Sequence, residues 1–341
     1  MNLETTYLGL QLAHPVIAGA SPLSATLDGI RRLEDGGAAA IVTASLYEGE
    51  ILADEEALEA ALIVGAESHP EVTSYLPPLC GCRRPQAGHV EMVRRAVESV
   101  SVPVIASLNA MTREGWVGIA PDLQAAGAAA IELNFFYLPT DPAETPADVE
   151  RRLVETVRDV RGAVQIPLTV KLGPYFSAPA HLARSLAGAG ADGVVLFNRF
   201  YEPDIDLETM TYRPKLELSQ EREIRLRLKW IALLAGKTPL SLAASGGVEG
   251  ADEVVKYLLA GADAVQTTSA PLRHGPGHLD RLVKGLAEWM GAHEVSSVTE
   301  IRGRMSAERL ADAEVLVKAH HTATVLLQYP CRGAASGATG L

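Results

Sequence analysis

The chain is 341 residues long, 48% hydrophobic and 21% charged, with a formal net charge of −12. That length and apolar content suit a single domain with one large core, and the acidic balance argues against nucleic acid or an anionic membrane surface as the main partner. No apolar run reaches bilayer-spanning length, and the opening MNLETTYLGLQLAHP lacks the basic and apolar regions of a signal peptide, so a cytoplasmic protein is expected.

Short β-branched runs alternate with helical patterns along the chain, the signature of parallel βαβ units. Eight strands are predicted in order: Val16–Gly19, Ala40–Ala44, Val104–Ser107, Ala130–Asn134, Leu168–Leu172, Gly193–Phe197, Leu240–Ala244 and Asp263–Thr267. Several follow a helix that stops at glycine, as in EDGGAAAIV, QAAGAAAIEL, AGAGADGVVLF and LLAGADAVQT. Eight evenly repeated units predict a (β/α)8 TIM barrel over residues 1–328, with a disordered tail at 329–341. A doubly wound open sheet fits the repetition less well. Long insertions follow strands two, four and six, and all fall at the C-terminal ends of strands, where barrels place active sites.

Between residues 240 and 270 the chain reads strand, Ser245-Gly246-Gly247, helix, strand, Thr267-Thr268-Ser269. Glycines let a backbone approach a ligand closely, and the loops after the last two strands of a barrel are its usual phosphate site. An anion cradle is predicted there. Three amides stand at other strand ends: Asn109, Asn134 and Asn198. Their planar donor and acceptor pairs suit the edge of a flat ring. Lys171 lies within an apolar strand, where a charge is costly unless paired. It could face a ring that becomes anionic on reduction, form a Schiff base, or merely pair with Glu132. Tyr137 stands at the mouth as a candidate acid or base, or as a packing aromatic beside Phe135 and Phe136.

Metal sites are not expected. His69, His89, His274 and His278 lack ligand spacing, and Cys80-Gly-Cys82 with Cys331 is too small a set for zinc or iron–sulfur binding. The sequence has no P-loop, no GxGxxG after the first strand, no GxSxG and no HExxH motif.

These motifs, IELN, VKLGPY, VLFN and the paired ASGG and GADAVQTTS turns, resemble the class 1 dihydroorotate dehydrogenase superfamily of FMN-binding barrels over most of the chain. The resemblance implies FMN, with its phosphate on Gly246, Gly247 and the Thr267–Ser269 turn. It places Ala20 and Ser21 against the isoalloxazine, Ser45 beside it, and Lys171, Asn134 and Asn198 in the flavin and substrate pocket. Two departures stand out. Ala44 occupies the place of the family's strand-two lysine, and Asn134-Phe135-Phe136-Tyr137-Leu138-Pro139 replaces Asn-x-Ser-Cys-Pro-Asn, which puts Tyr137 where the family has its base. The expected protein is therefore an FMN-dependent oxidoreductase, with Tyr137 and Lys171 as catalytic candidates, acting on a small planar or carboxylated metabolite. Dihydroorotate oxidation should be weak or absent. A homodimer is expected on base rates. Two other readings stay open: a non-redox aldolase or isomerase using Lys171 as a Schiff base, and a non-catalytic flavoprotein.

Overall fold

The computed structural model describes residues 1–47, 85–109, 112–200, 202–213 and 217–317. The three cysteines, His69 and the predicted tail at 329–341 lie outside the described residues. At the centre is a closed barrel of eight parallel strands: β1 Val16–Ala18, β2 Ile41–Val42, β3 Val104–Asn109, β4 Ala130–Asn134, β5 Leu168–Leu172, β6 Gly193–Leu196, β7 Ser241–Ser245 and β8 Ala264–Thr267. Sequential strands are spatial neighbours, β2 with β3 through Ile41↔Val104 and so on to β8, which returns to β1 through Val265↔Val16. This is the predicted (β/α)8 TIM barrel.

Each predicted run falls on a barrel strand: Ala130–Asn134 and Leu168–Leu172 match at both ends, and the other six differ at one end or both. β3 continues to Asn109, and a two-residue strand, Leu46–Tyr47, pairs with its last turn of ladder. β2 is short because the chain veers away after Thr43: the Ala44 N–H bonds to Ser24 O instead of to β3. The strands are buried on both faces, which is why they read as unbroken apolar runs. Inside the barrel Ile17, Val42, Ile105, Val195 and small alanines at 130, 243 and 264 pack together. A second, larger cluster fills the space between the strands and the surrounding helices.

The helices include α1 Leu27–Asp35, α2 Pro85–Ser99, α3 Arg113–Ala125, α4 Pro146–Ala163, α5 Pro179–Ala189, α6 Ile224–Leu234, α7 Ala251–Ala260, α8 Ser269–His274 and α9 His278–Ala292. α5 and α7 end at Gly190 and Gly261, two of the predicted stops. Among the described residues no helix is long and apolar enough to cross a membrane.

Two antiparallel hairpins were not legible in the strand pattern. Thr5–Tyr7 pairs with Leu10–Leu12 and closes the N-terminal end of the barrel. Tyr7 is fully buried there, with its hydroxyl 3.2 Å from Thr169 Oγ1. In the insertion after β6, Asp204–Asp206 pairs with Thr211–Arg213 and exposes Ile205, Leu207, Met210 and Tyr212.

Candidate active site

A cavity of about 740 Å³ opens at the C-terminal ends of the strands. Ala20, Ser21, Ser45, Asn134, Lys171, Asn198, Ser245, Gly246, Gly247, Thr267, Thr268 and Ser269 all line it. The strand ends thus bring together twelve of the residues singled out in the sequence. Asn109 and Tyr137 are not among its lining residues.

The predicted cradle is built by the turn after β7. Gly246 and Gly247 have φ of +100° and +72°. A Cβ on Gly246 would stand 2.9 Å from Arg227 Nε, and one on Gly247 would stand 2.7 Å from Ile224 Cγ2 and 2.9 Å from Gln220 O. Both positions therefore require glycine. Arg227 braces the turn from behind, donating from Nε to Ser245 O (2.5 Å) and from Nη1 to Glu223 O (2.7 Å). Ser219 joins the two turns: its hydroxyl accepts from Gly247 N (3.0 Å) and lies 2.8 Å from Ser269 Oγ. The result is a floor of backbone N–H groups and hydroxyls, a chemistry suited to an anion.

Lys171 projects from β5 into the same cavity and is buried. Its Nζ donates to Glu132 Oε1 (3.4 Å) and to Gln266 Oε1 (3.3 Å), while Gln266 Nε2 donates to Glu132 Oε2 (2.6 Å). The pairing with Glu132 foreseen as the plain alternative is present, and Lys171 lines the cavity as well. Beneath this triangle, burial, reinforced by the Glu132 charge, pushes the Tyr7 phenol well above its usual range, so Tyr7 stays neutral.

The amides form a chain across the cavity wall. Asn198 Nδ2 donates to Asn134 Oδ1 (2.6 Å), Asn134 Nδ2 donates to Ser45 Oγ (3.1 Å), and Ser45 Oγ lies 2.8 Å from Ser107 Oγ. Asn109 sits one layer back, donating from Nδ2 to Asn134 O (2.9 Å). It supports the wall and does not face the cavity.

Tyr137 is turned away. Its hydroxyl donates to Glu144 Oε2 (2.5 Å), and Arg152 lies over its ring, 4.3 Å from the centroid, while donating to the same carboxylate. β4 ends at Asn134, and the chain turns there, with the Phe136 N–H donating back to the Asn134 carbonyl (3.0 Å). Glu132, Asn134 and Phe136 share the inner face, whereas Phe135 packs outward on Trp116 (4.9 Å, nearly parallel) and Tyr137 follows it. Phe136, and not Tyr137, is the aromatic of this segment that lines the cavity.

Four residues of the site were not identified from sequence: Ser219, Arg227, Arg199 and His89. Arg199 lines the cavity and pairs with Glu223 (3.2 Å). His89 lines it from α2, on the helix face of Val93 and Ala96, and its buried Nε2 has no hydrogen-bond partner among the described residues. An amphipathic reading of α2 would have shown His89 in step with Val93. An arginine between Ile224 and Ile231 on the inner face of α6 was the corresponding signal for Arg227.

Burial lowers the His89 pKa to about 4 and, likewise by burial, the His14 pKa to about 4. In the unfolded chain both sit near ~6.5, so on acidification the unfolded state takes up protons first. Their contribution is complete above pH ~6.5 and is lost as pH falls toward 4. The urea midpoint should therefore drop between pH 7 and pH 4.5, with a shallower fall in the double variant His14→Gln/His89→Gln. An unchanged slope in that variant would remove both histidines from the acid response.

The dihydroorotate dehydrogenase family model matches residues 83–290. The chain is 28% identical over 314 residues to the catalytic subunit of dihydroorotate dehydrogenase B (NAD(+)) of Methanothermobacter thermautotrophicus, covering 88% of this chain and 97% of the relative. It is 26% identical over 223 residues to the same subunit of Shouchella clausii (63% and 72% of the two chains) and 30% identical over 215 residues to dihydroorotate dehydrogenase A (fumarate) of Limosilactobacillus reuteri (59% and 67%). With the family model spanning most of the barrel, and that barrel carrying a cavity at its strand ends, this chain belongs to the dihydroorotate dehydrogenase family, whose members are FMN-dependent oxidoreductases.

Proposed function

We propose that the protein binds FMN in this cavity and oxidises or reduces a carbon–carbon bond of a small planar or carboxylated metabolite. The observation that carries the reading is the cavity at the strand ends, which brings the Ser245-Gly246-Gly247 and Thr267-Thr268-Ser269 turns together with the buried Lys171. In this reading the phosphate rests on Gly246, Gly247 and Thr267–Ser269. Ala20, Ser21 and Ser45 lie against the ring, and Lys171, Asn134 and Asn198 supply donors to its polar edge. When bound, FMN supplies the hydride chemistry. The chain's own contribution is to orient the substrate, exclude water and hold a donor at Lys171 Nζ.

The Schiff-base alternative is disfavoured by the pairing at β5, where Nζ is already engaged by Glu132 at 3.4 Å and by Gln266 at 3.3 Å. A cytoplasmic homodimer is part of the proposal.

The visible absorption spectrum of protein purified without added cofactor tests the reading: released FMN is expected. A colourless protein that takes up no FMN would overturn it. Dihydroorotate should reduce the bound flavin slowly, by about 10²–10⁴ relative to an enzyme with a general base in place, because the strand-four loop presents Phe136 to the cavity and holds Tyr137 outside it. Stopped-flow reduction measures this, and rapid bleaching by dihydroorotate would contradict it.

A further inference from the structure

Three separate loops meet at the cradle, and they are tied together twice. The inner tie is Ser219, which comes from the insertion after β6, is buried, and lines the cavity. Its hydroxyl accepts from the Gly247 N–H (3.0 Å) in the turn after β7, and its own N–H donates to Ser269 Oγ (3.1 Å) after β8. The two hydroxyl oxygens are 2.8 Å apart, so one hydroxyl donates to the other. That contact uses one of the pair's two protons. The second O–H remains for the cavity, which both serines line.

The outer tie is Arg273. It sits on α8, four residues after Ser269, and among the described residues it does not line the cavity. Its Nη1 donates to the Glu249 carboxylate, between β7 and α7. Its Nη2 donates to Leu218 O (3.1 Å) and to Ser219 O (2.8 Å), in the insertion after β6. One guanidinium on the β8 side thus holds both of the other loops. A planar fork of donors suits this task, because it can serve a carboxylate and two carbonyls at once. Glu249 is held in turn: its Oε1 lies 2.5 Å from His274 Nε2, and its carbonyl oxygen lies 2.8 Å from His278 Nε2.

We propose that Arg273 is a positioning residue for the cofactor's phosphate: by gripping the Leu218 and Ser219 carbonyls from outside the cavity, it sets where the Ser219–Ser269 hydroxyl pair stands. This deepens the proposed function and rests on its placing of the FMN phosphate at the two turns. A serine side chain has one heavy-atom torsion, so the place of its hydroxyl follows the backbone that carries it. Arg273 acts through that backbone and not through its charge, which Glu249 matches.

The test compares FMN with riboflavin, the same ring without the phosphate, by fluorescence titration of the full chain freed of flavin. Arg273→Ala should weaken FMN about tenfold, the scale of one hydrogen bond to a charged group, and leave riboflavin unchanged. Ser219→Ala should do the same. The double variant should be no weaker than the weaker single one, because both remove one device. Arg273→Lys keeps the charge without the fork and should stay weakened; it carries the comparison if Arg273→Ala does not fold. In the flavin-free chain, Arg273→Ala should speed amide exchange over residues 217–220 and 246–248. With wild-type protein binding FMN, four results would each overturn the proposal: unchanged FMN affinity in Arg273→Ala, an equal loss for riboflavin, multiplied losses in the double variant, or full recovery in Arg273→Lys. A wild-type chain that takes up no FMN would instead overturn the flavin reading, and this proposal with it.

Discussion

Gly247→Val is expected to lower FMN affinity by at least ~100-fold. The substitution forces a β-branched residue into a left-handed backbone conformation, φ +72°, that such residues rarely adopt. It also drives a Cβ to 2.7 Å from Ile224 Cγ2 and 2.9 Å from the Gln220 carbonyl. One of those neighbours is backbone, so the turn itself must move, and the N–H that meets Ser219 moves with it. A strain of ~1–3 kcal/mol, together with a lost donor, corresponds to this loss. Gly250→Ala is the control: its Cβ would meet only the Glu253 carboxylate, at 3.4 Å, and uptake should be unchanged. Fluorescence titration with FMN reads both, with circular dichroism to show that the barrel persists. Wild-type affinity in Gly247→Val would remove the cradle from cofactor binding.

Glu132→Ala is expected to destabilise the protein by about 3–5 kcal/mol, the cost of stranding a buried charge. Glu132 is fully buried, and both its oxygens are used, one by Lys171 and one by Gln266. Removing it leaves an ammonium in a low-dielectric setting with only the Gln266 carbonyl oxygen for company. Neutralising both partners should be far milder, so the double variant Glu132→Ala/Lys171→Met, set beside Glu132→Ala and Lys171→Met, should recover most of the loss. Urea unfolding of the two single variants and the double gives the coupling energy directly. Additive effects would show that Glu132 and Lys171 stand side by side without depending on each other.

The barrel was legible because parallel strands buried on both faces leave continuous apolar runs, and because the helices between them end on glycine. β2 fell short of its predicted span because Ala44 turns its N–H to Ser24, a tertiary contact with no local signal. The residues expected in the site that do line the cavity include Gly246 and Gly247, in the turn after β7, Asn134 at the last position of β4, and Lys171 one position before the end of β5. Tyr137 shows the opposite case. Its place was inferred by matching a family motif position by position, while the chain leaves the strand at Asn134 and turns, Phe136 N–H to Asn134 O, a local geometry that the motif does not encode. Ser219 and His89 could not be read this way, since they reach the cavity from an insertion and from a helix far along the chain from the strands they meet.

The N-terminal hairpin gives the cavity a closed end. Tyr7 is sealed beneath Glu132 and bonded to Thr169, and the Leu8 N–H is tied to Ser241 Oγ at 3.1 Å. Among the described residues the chamber is stopped at its base and opens toward the C-terminal ends of the strands. In the proposed chemistry, reductant and oxidant would approach the cavity from that same end, one after the other.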